Sequence, residues 1–403
     1  MQTEIIEQYL RTPEGQEAEG ILRSCVHCGF CTATCPTYQL LGDELDGPRG
    51  RIYQIKQVLE GKPVSRTTQQ HLDRCLTCRS CETTCPSGVE YGRLVDIGRY
   101  IVERQVKRPV IEQIQRLLLR KLIPNQKMFS LGLVFARAMA PLLPNALKRK
   151  IPPRQNSSAW PNRSHTRKML VLDGCVQPIT APETNAASAR VLDKLGIQLI
   201  KATGAGCCGA VSHHLSAHEE GLDAMRRNID AWWPYVEQGV EAIISTASGC
   251  GVMVKDYGKL LQHDEVYAPR AEKISLLTRD LTEILAAENL DIFKLNTPIK
   301  VAFHAPCTLQ HGQKIVGVVE GILSQVGYVL TEVNDSHLCC GSAGTYSILQ
   351  SKLSQQLLTN KLTALQADSP EIIASANIGC QMHIATQADV PVMHWVELLE
   401  RAG

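Results

Sequence analysis

Two runs of cysteine share one spacing. Cys25, Cys28, Cys31 and Cys35 stand three, three and four residues apart, with Pro36 after the last, and Cys75, Cys78, Cys81, Cys85 and Pro86 repeat the pattern. Thiolates at three successive steps can wrap one corner of an iron–sulfur cubane, while a fourth followed by proline is carried away to ligate a neighbouring cubane. The runs therefore predict two 4Fe–4S clusters with crossed ligation. Cys25, Cys28, Cys31 and Cys85 hold one, and Cys75, Cys78, Cys81 and Cys35 hold the other. Paired zinc sites are the competing chemistry, because Cys-x2-Cys also suits tetrahedral zinc. Zinc needs only two close pairs, and it leaves the third cysteine and the Cys-Pro unused in both runs.

The other eight cysteines form a different pattern. Cys175, Cys207-Cys208-Gly209 and Cys250 are followed by Cys307, Cys339-Cys340-Gly341 and Cys380, at offsets of 132, 132, 132 and 130 residues. Offsets this constant mark an internal repeat. Adjacent cysteines cannot easily share an ordinary disulfide, yet a tight glycine turn lets both face one metal centre. Each copy thus offers a candidate metal site: Cys175, Cys207, Cys208 and Cys250 in the first, Cys307, Cys339, Cys340 and Cys380 in the second. Met253 and His383 stand three residues after the last cysteine of each copy, and His304 lies close before Cys307. Thioether is a weak ligand for iron, so Met253 reads as packing. His383 and His304 have ligating chemistry. A further iron–sulfur cluster, zinc and reversible thiols all stay open for these two sites.

The elements that position the repeat cysteines are legible from periodicity. Each copy begins with a β-like run, Met169–Leu172 or Lys300–Phe303, and continues into a helical stretch, Thr184–Leu195 or Ile315–Val326. A second strand follows (Ile197–Lys201; Tyr328–Val333), then the Cys-Cys-Gly turn, a longer helix and a third strand (Ala242–Ser245; Ile372–Ser375). Strands alternating with helices imply parallel sheets, in which ligands sit beyond the carboxyl ends of strands. All four cysteines of each copy fall there. The two N-terminal runs are joined by a 39-residue spacer whose centre, Gly47 to Gly61, reads as helix. Gly29, Ser80 and Gly88 are small enough to let backbone N–H groups approach the sulfurs. The fold class expected is α followed by α/β: residues 1–98 as a helical two-cluster unit, 99–167 as a basic helical linker, and 168–297 and 298–403 as tandem parallel-sheet cysteine-rich units.

The chain has 403 residues, 44% of them apolar and 20% charged, with a formal charge of +2. That balance names no partner, but its distribution is uneven. Residues 99–168 carry sixteen Lys or Arg and two acidic residues, Glu103 and Glu112, a local balance of +14. Between 109 and 151 apolar and basic groups alternate, as in Ile114, Leu117 and Leu118 with Arg116, Arg120 and Lys121. A basic amphipathic helix lies on anionic lipid, docks a partner or simply connects two units. Nucleic acid is not expected, since the region lacks interleaved aromatics and a recognised motif. No signal-like start and no uninterrupted apolar run of membrane-spanning length is present; the nearest window, Met128 to Leu147, contains Arg137, Pro141 and Pro144. A cytoplasmic protein, peripheral on the inner face of the membrane, is the expectation. Neither a dinucleotide fingerprint, a phosphate loop nor a nucleophile elbow occurs, and Gly341-Ser342-Ala343-Gly344 belongs to the Cys-Cys-Gly turn. No catalytic residue is assigned to this chain.

Several of these features resemble known families. The long helical spacer is similar to the helical ferredoxin domain of respiratory iron–sulfur subunits. The repeats resemble the cysteine-rich domain of heterodisulfide reductases, although the expected final Cys-x2-Cys is replaced by Cys250-Gly251-Val252-Met253 and Cys380-Gln381-Met382-His383. The whole order, together with Cys85-Pro86-Ser87-Gly88-Val89-Glu90-Tyr91-Gly92-Arg93, resembles the iron–sulfur subunit of glycolate oxidase (glycolate dehydrogenase). The anaerobic glycerol-3-phosphate dehydrogenase small subunit is similar too, but would be expected to end its repeats in Cys-x2-Cys. The first resemblance implies FAD-bearing flavoprotein partner subunits that oxidise glycolate to glyoxylate, with D-lactate as a second substrate. Electrons would then pass through this non-catalytic subunit to quinone or another acceptor. A thiol–disulfide oxidoreductase acting through the Cys-Cys-Gly sites is the alternative.

Overall fold

A computed structural model describes residues 1–144 and 148–403. The C-terminal end of the apolar window Met128–Leu147, residues 145–147 of the basic linker, lies outside the described residues. The N-terminal part is built from helices that each bury one apolar stripe. Helix α1 (Pro13–Ser24) starts at Thr12, whose hydroxyl accepts from the Gly15 N–H at 3.1 Å, and at Pro13, whose missing N–H is no loss in a first turn. Helix α2 (Pro48–Leu59) fills most of the spacer, as its periodicity predicts, and buries Ile52, Ile55, Val58 and Leu59. Helices α3 (Arg66–Asp73) and α4 (Tyr91–Gln105) close the bundle. A Cβ on Gly98 would stand 2.6 Å from Ile55, so only glycine lets α4 lie this close to α2.

A buried ion cluster closes the spacer. Asp46, fully buried, accepts from Arg51 at 3.3 Å, from Arg74 at 2.7 Å and pairs with His71 Nδ1 at 3.0 Å. Arg51, 1% exposed, also donates to the His71 carbonyl and the Thr37 hydroxyl. One carboxylate thereby ties the exit of the first cysteine run to the entry of the second.

Helices α5 (Val110–Leu122) and α6 (Gln126–Met139) form a hairpin in which no side chain is buried. The polar face of α5 is turned toward the body: Glu112 pairs with Arg66, Arg116 with Asp73 at 3.0 Å, and Lys121 with Glu220 at 3.0 Å. Its apolar face is left outside. Of the 23 large apolar side chains that are exposed among the described residues, twelve lie between Val110 and Leu142. Among the described residues no helix is long and apolar enough to cross a membrane.

Two four-stranded parallel sheets follow. Strands β1 (Arg167–Val171), β2 (Ile197–Lys201), β3 (Ala242–Ser245) and β4 (Thr278–Asp280) order as β2-β1-β3-β4. Strands β5 (Lys300–His304), β6 (Val329–Leu330), β7 (Ile372–Ser375) and β8 (Val392–His394) repeat that order as β6-β5-β7-β8. Register is set by pairs such as Met169 with Leu199 and Ala242, and Val301 with Leu330 and Ile372. Met169 and Val171 face a core shared with Val301 and Phe303 of the second sheet and Trp395 of the C-terminal helix, while Leu170 turns to a separate core with Ile229, Trp232 and Tyr257. Helix α7 (Pro182–Lys194), helix α8 (Ala210–His214), helix α9 (His218–Glu237) and helix α10 (Ser248–Lys255) cover the first sheet.

The structure departs from the periodicity at three places. The strand expected over Tyr328–Val333 is only Val329–Leu330, with the Thr331 N–H still donating to the Val301 carbonyl at 3.0 Å. The helix expected from Ile315 starts at Val318, after Gly317 in a left-handed conformation. The fourth strands, Thr278–Asp280 and Val392–His394, have three residues each, too few for an alternation to show.

Removing Asp46 leaves Arg51 buried without its counter-charge, so Asp46→Ala is expected to cost about 3–5 kcal/mol. Asp43→Ala, which removes only an exposed cap on Leu45, is expected to cost about 1 kcal/mol. Urea unfolding of the two variants measures the difference, and equal losses would rule out a locking role for Asp46.

Candidate redox and metal centres

Both N-terminal runs are shaped by the same backbone device. Residues two and four positions after the first cysteine take left-handed conformations: His27 (φ 57°) and Gly29 (φ 84°) in one run, Thr77 (φ 53°) and Arg79 (φ 60°) in the other. Successive N–H groups then turn inward, as in an anion-binding nest. Thr77 N–H accordingly reaches Cys75 Sγ at 3.3 Å. The two runs are stitched to each other through Thr34, which bonds Thr84 at 3.0 Å and the Ser80 carbonyl at 3.3 Å. Arg99 of α4 fixes the second loop by donating to the carbonyls of Leu72 and Cys75 and to Thr77 Oγ1. Tyr91 O–H points at Cys75 Sγ, 3.6 Å away. Arg99 was not singled out by the sequence, and no spacing rule marks it.

The thiols gather in two groups. Burial, with the charges of Cys25, Cys28 and Cys85 adding to it, pushes the Cys31 thiol up to about 11. Burial also raises Cys25, next to Cys85 and Cys28. In the second group burial, with Cys78, Cys75 and Cys35 nearby, pushes Cys81 well up. Cys78 is raised by burial and by the neighbouring Cys307, Cys35 and Cys75. A cavity lies among Cys25, Cys28, Cys31 and Cys85, walled by Ile52 and Tyr91, and Cys81 of the other group reaches its rim. Four sulfurs around an apolar-walled space, too crowded to ionise together unaided, suit an iron–sulfur cage.

The repeat cysteines occupy the crevice where each sheet reverses its strand order. Cys175 follows β1 and Cys250 follows β3; Cys307 follows β5 and Cys380 follows β7. The Cys-Cys-Gly turns need their glycines. Gly209 (φ 91°) has no room for a Cβ 2.7 Å from the Gly221 carbonyl, and Gly341 (φ 86°) none 2.6 Å from that of Ser354. In the first repeat a hydrogen bond with Cys207, then burial, raises Cys175, and hydrogen bonds with Cys207 and Cys250 raise Cys208. In the second, Cys307 and Cys339 sulfurs are 3.9 Å apart, Gly341 N–H approaches Cys339 Sγ at 3.4 Å, and Asn377 Nδ2 approaches Cys380 Sγ at 3.4 Å.

The repeats differ in one ligating group. His304, Cys340 and Cys380 bring their donor atoms within 4.8 Å of one another. His304 Nδ1 pairs with Ser375 Oγ at 3.1 Å, while its Nε2 is buried without a partner. The matching residue of the first repeat is Leu172. His383 stands apart, its Nε2 bonded to Ser354 Oγ at 3.1 Å, and Met253 is a core residue. The second repeat also packs on the second cysteine run: Cys78 and Leu76 lie with Cys307, Cys339 and Tyr346.

Gly341→Ala forces a side chain into a left-handed residue and against the Ser354 carbonyl. A loss of at least about 1–2 kcal/mol is expected in thermal unfolding, larger than for Gly321→Ala, whose Cβ meets nothing.

Comparison with known proteins agrees with this geometry. Residues 21–89 match the family described as 4Fe-4S dicluster domain, and residues 169–255 and 301–385 match Cysteine-rich domain. The chain therefore carries two 4Fe–4S clusters in its helical part. It is 54% identical to the glycolate oxidase iron-sulfur subunit of Escherichia coli K12, over 100% of this chain and 99% of that one. A probable glycolate oxidase iron-sulfur subunit of Bacillus subtilis 168 is 29% identical over 96% of this chain and 95% of its own. Lactate utilization protein A of Bacillus subtilis 168 is 28% identical, over 58% of this chain and 98% of its own. A crystal structure of a hypothetical protein from Helicobacter pylori shares the fold, with a TM-score of 0.52 at 12% identity, over 98% of this chain and 73% of that one. With its whole length matched, the chain belongs to the family of glycolate oxidase iron–sulfur subunits and is an electron-transfer subunit of an oxidoreductase.

Proposed function

We propose that this chain carries electrons from FAD-bearing partner subunits, which oxidise glycolate and also D-lactate, to quinone at a membrane surface. The single observation that carries the reading is the placement of two sulfur groups side by side, with Cys81 of one on the rim of the other's cavity. Bound in those groups, 4Fe–4S clusters supply one-electron transfer. Crossed ligation is supported by the charge of Cys85 acting on Cys25 and Cys31, and that of Cys35 on Cys78 and Cys81. Cys25, Cys28, Cys31 and Cys85 then hold one cluster, and Cys75, Cys78, Cys81 and Cys35 the other. Deep burial of the repeat thiols speaks against a disulfide exchange with bulky substrates, since Cys207, Cys208, Cys339 and Cys340 are all 3% exposed or less. The repeat thiols are metal sites in the same proposal, and the orphaned Nε2 of His304 makes the second copy the better equipped. The four-part division of the chain at 98, 167 and 297 belongs to it as well.

The α5–α6 hairpin is the proposed membrane contact. A helix fixed to the body by its charged face displays its apolar face to whatever lies outside. No carboxylate occurs from 113 to 172, while Lys127, Lys148, Arg149 and Lys150 are exposed and, among the described residues, unpaired. Apolar insertion with a cationic collar matches an anionic lipid surface.

Two measurements test the reading. Cys85→Ser is expected to remove the cluster of the first run, about four irons, and to leave the paramagnetic signal of the second; the opposite loss defeats crossed ligation. Leu118→Glu with Leu131→Glu is expected to abolish co-sedimentation of the purified chain with phosphatidylglycerol vesicles. Binding that persists in the double variant removes the hairpin from the membrane contact.

A further inference from the structure

All three parts of the chain meet at a second cavity, partly open to solvent. The cluster loop contributes Cys78, α4 contributes Asp96, α8 contributes His213 and His214, and α10 contributes Val252 and Met253. The cavity thus sets a cluster-loop sulfur beside two histidines of the first repeat. The polar groups are arranged around Asp96. His214 Nδ1 pairs with one carboxylate oxygen at 3.2 Å, His213 Nε2 lies 3.8 Å from the other, and Arg99 is 3.8 Å away. Burial raises the Asp96 carboxyl, but the His214 hydrogen bond and charge, with Arg99, hold it well below the usual range.

His213 is the unusual member. It is 5% exposed and stacked on His218 at 4.4 Å, and its Nδ1 is buried without a hydrogen-bond partner. An unmade hydrogen bond of this kind costs about 1–3 kcal/mol, so a site that keeps one is built to receive something. Burial pushes the ring down to about 3, so it is neutral near pH 7, and with its proton on Nδ1 it offers a neutral N–H donor. The second repeat has no counterpart, since the matching residue is Thr345.

The charge balance says what that something is. Arg79 is spent on Asp256 at 2.6 Å and Arg93 on Glu17 at 2.7 Å. With Asp96 also in the wall, an organic anion finds no unpaired arginine and two carboxylates. Val252, Met253 and Leu260 supply apolar surface instead. A neutral ring with carbonyl oxygens at its edge matches both kinds of wall.

We infer that this cavity binds the ring of a quinone, with His213 hydrogen-bonding one carbonyl oxygen and Cys78 at the ring's edge. The inference rests on the quinone-acceptor reading above and names its site. Reduction balances as two carbonyl oxygens becoming two hydroxyls. The two electrons come from substrate oxidation through the chain's electron-transfer activity. The two protons come from water by way of His214, whose side chain is 38% exposed and is bonded to Asp96. The hairpin lies close: α5 packs against α8, and Lys121 pairs with Glu220 at the start of α9. A quinone leaving the lipid would have a short path.

Photolabelling of the full cluster-loaded chain with a short-chain azidobenzoquinone, followed by peptide mapping, tests this. Adducts within 210–218 or 249–260, displaced by excess unlabelled short-chain quinone, are the expected result. His213→Leu should weaken the displacement about fivefold, the worth of one hydrogen bond, with both cluster signals at full intensity. Mapping of the unsubstituted chain needs no variant to fold. Adducts elsewhere, or none, in a complex that reduces quinone with glycolate overturn the site and leave the acceptor reading standing. A complex that reduces ferricyanide but not quinone, with no adduct, overturns both.

Discussion

Ionised sulfurs a few ångströms apart in a buried shell repel one another, and each pays to leave water, unless positive charge lies among them. Eight such sulfurs are packed into the helical part of this chain, and its architecture follows from that constraint. The left-handed residues at matching positions of the two runs turn N–H groups toward sulfur. The buried Asp46 cluster holds the spacer so that sulfurs some fifty residues apart in sequence meet. Ile52 of α2 and Tyr91 line the space between them. None of these devices is strong by itself; each removes freedom that the crowded sulfurs would otherwise use to separate.

The repeats meet a related demand with different means. A parallel sheet that reverses its strand order leaves a crevice beyond its carboxyl ends, and the first and last cysteines of each copy lie there. The glycine of the Cys-Cys-Gly turn sits against the backbone of the following helix, which fixes both adjacent sulfurs. Duplication has not kept the copies equal. Position 304 is a histidine oriented by Ser375, whereas its counterpart is Leu172, and the histidine cluster at 213–218 occurs only in the first copy. The second copy lies against Cys78, and the first supplies the histidines that face the same cluster loop. Divergence has followed position relative to the clusters.

The hairpin inverts the usual relation between a surface helix and its protein. Helix α5 spends its charged side chains on ion pairs with the body and displays Ile111, Ile114 and Leu118. Exposed apolar stripes of this length are uncommon on soluble monomers. Their concentration in one segment, next to α8 and its histidines, joins the surface of the molecule to its interior cavity.

Cysteine spacing alone determined the two clusters, their crossed ligation as a proposal, and the internal repeat, because metal ligation demands particular residue types at particular steps. Periodicity determined most helices, and β1, β3, β5 and β7 showed as short continuous apolar runs, as parallel strands covered on both faces do. Tertiary structure decided what no local pattern carries. The three-residue strands β4 and β8 exist only through their neighbours' hydrogen bonds. Which face of α5 points outward depends on Asp73, Arg66 and Glu220, from other parts of the chain. His304, not His383, joins the thiols because Ser375 and Ser354 claim different ring nitrogens. The cavity at Asp96, His213 and Cys78 belongs to three segments at once, and only their packing makes it a place.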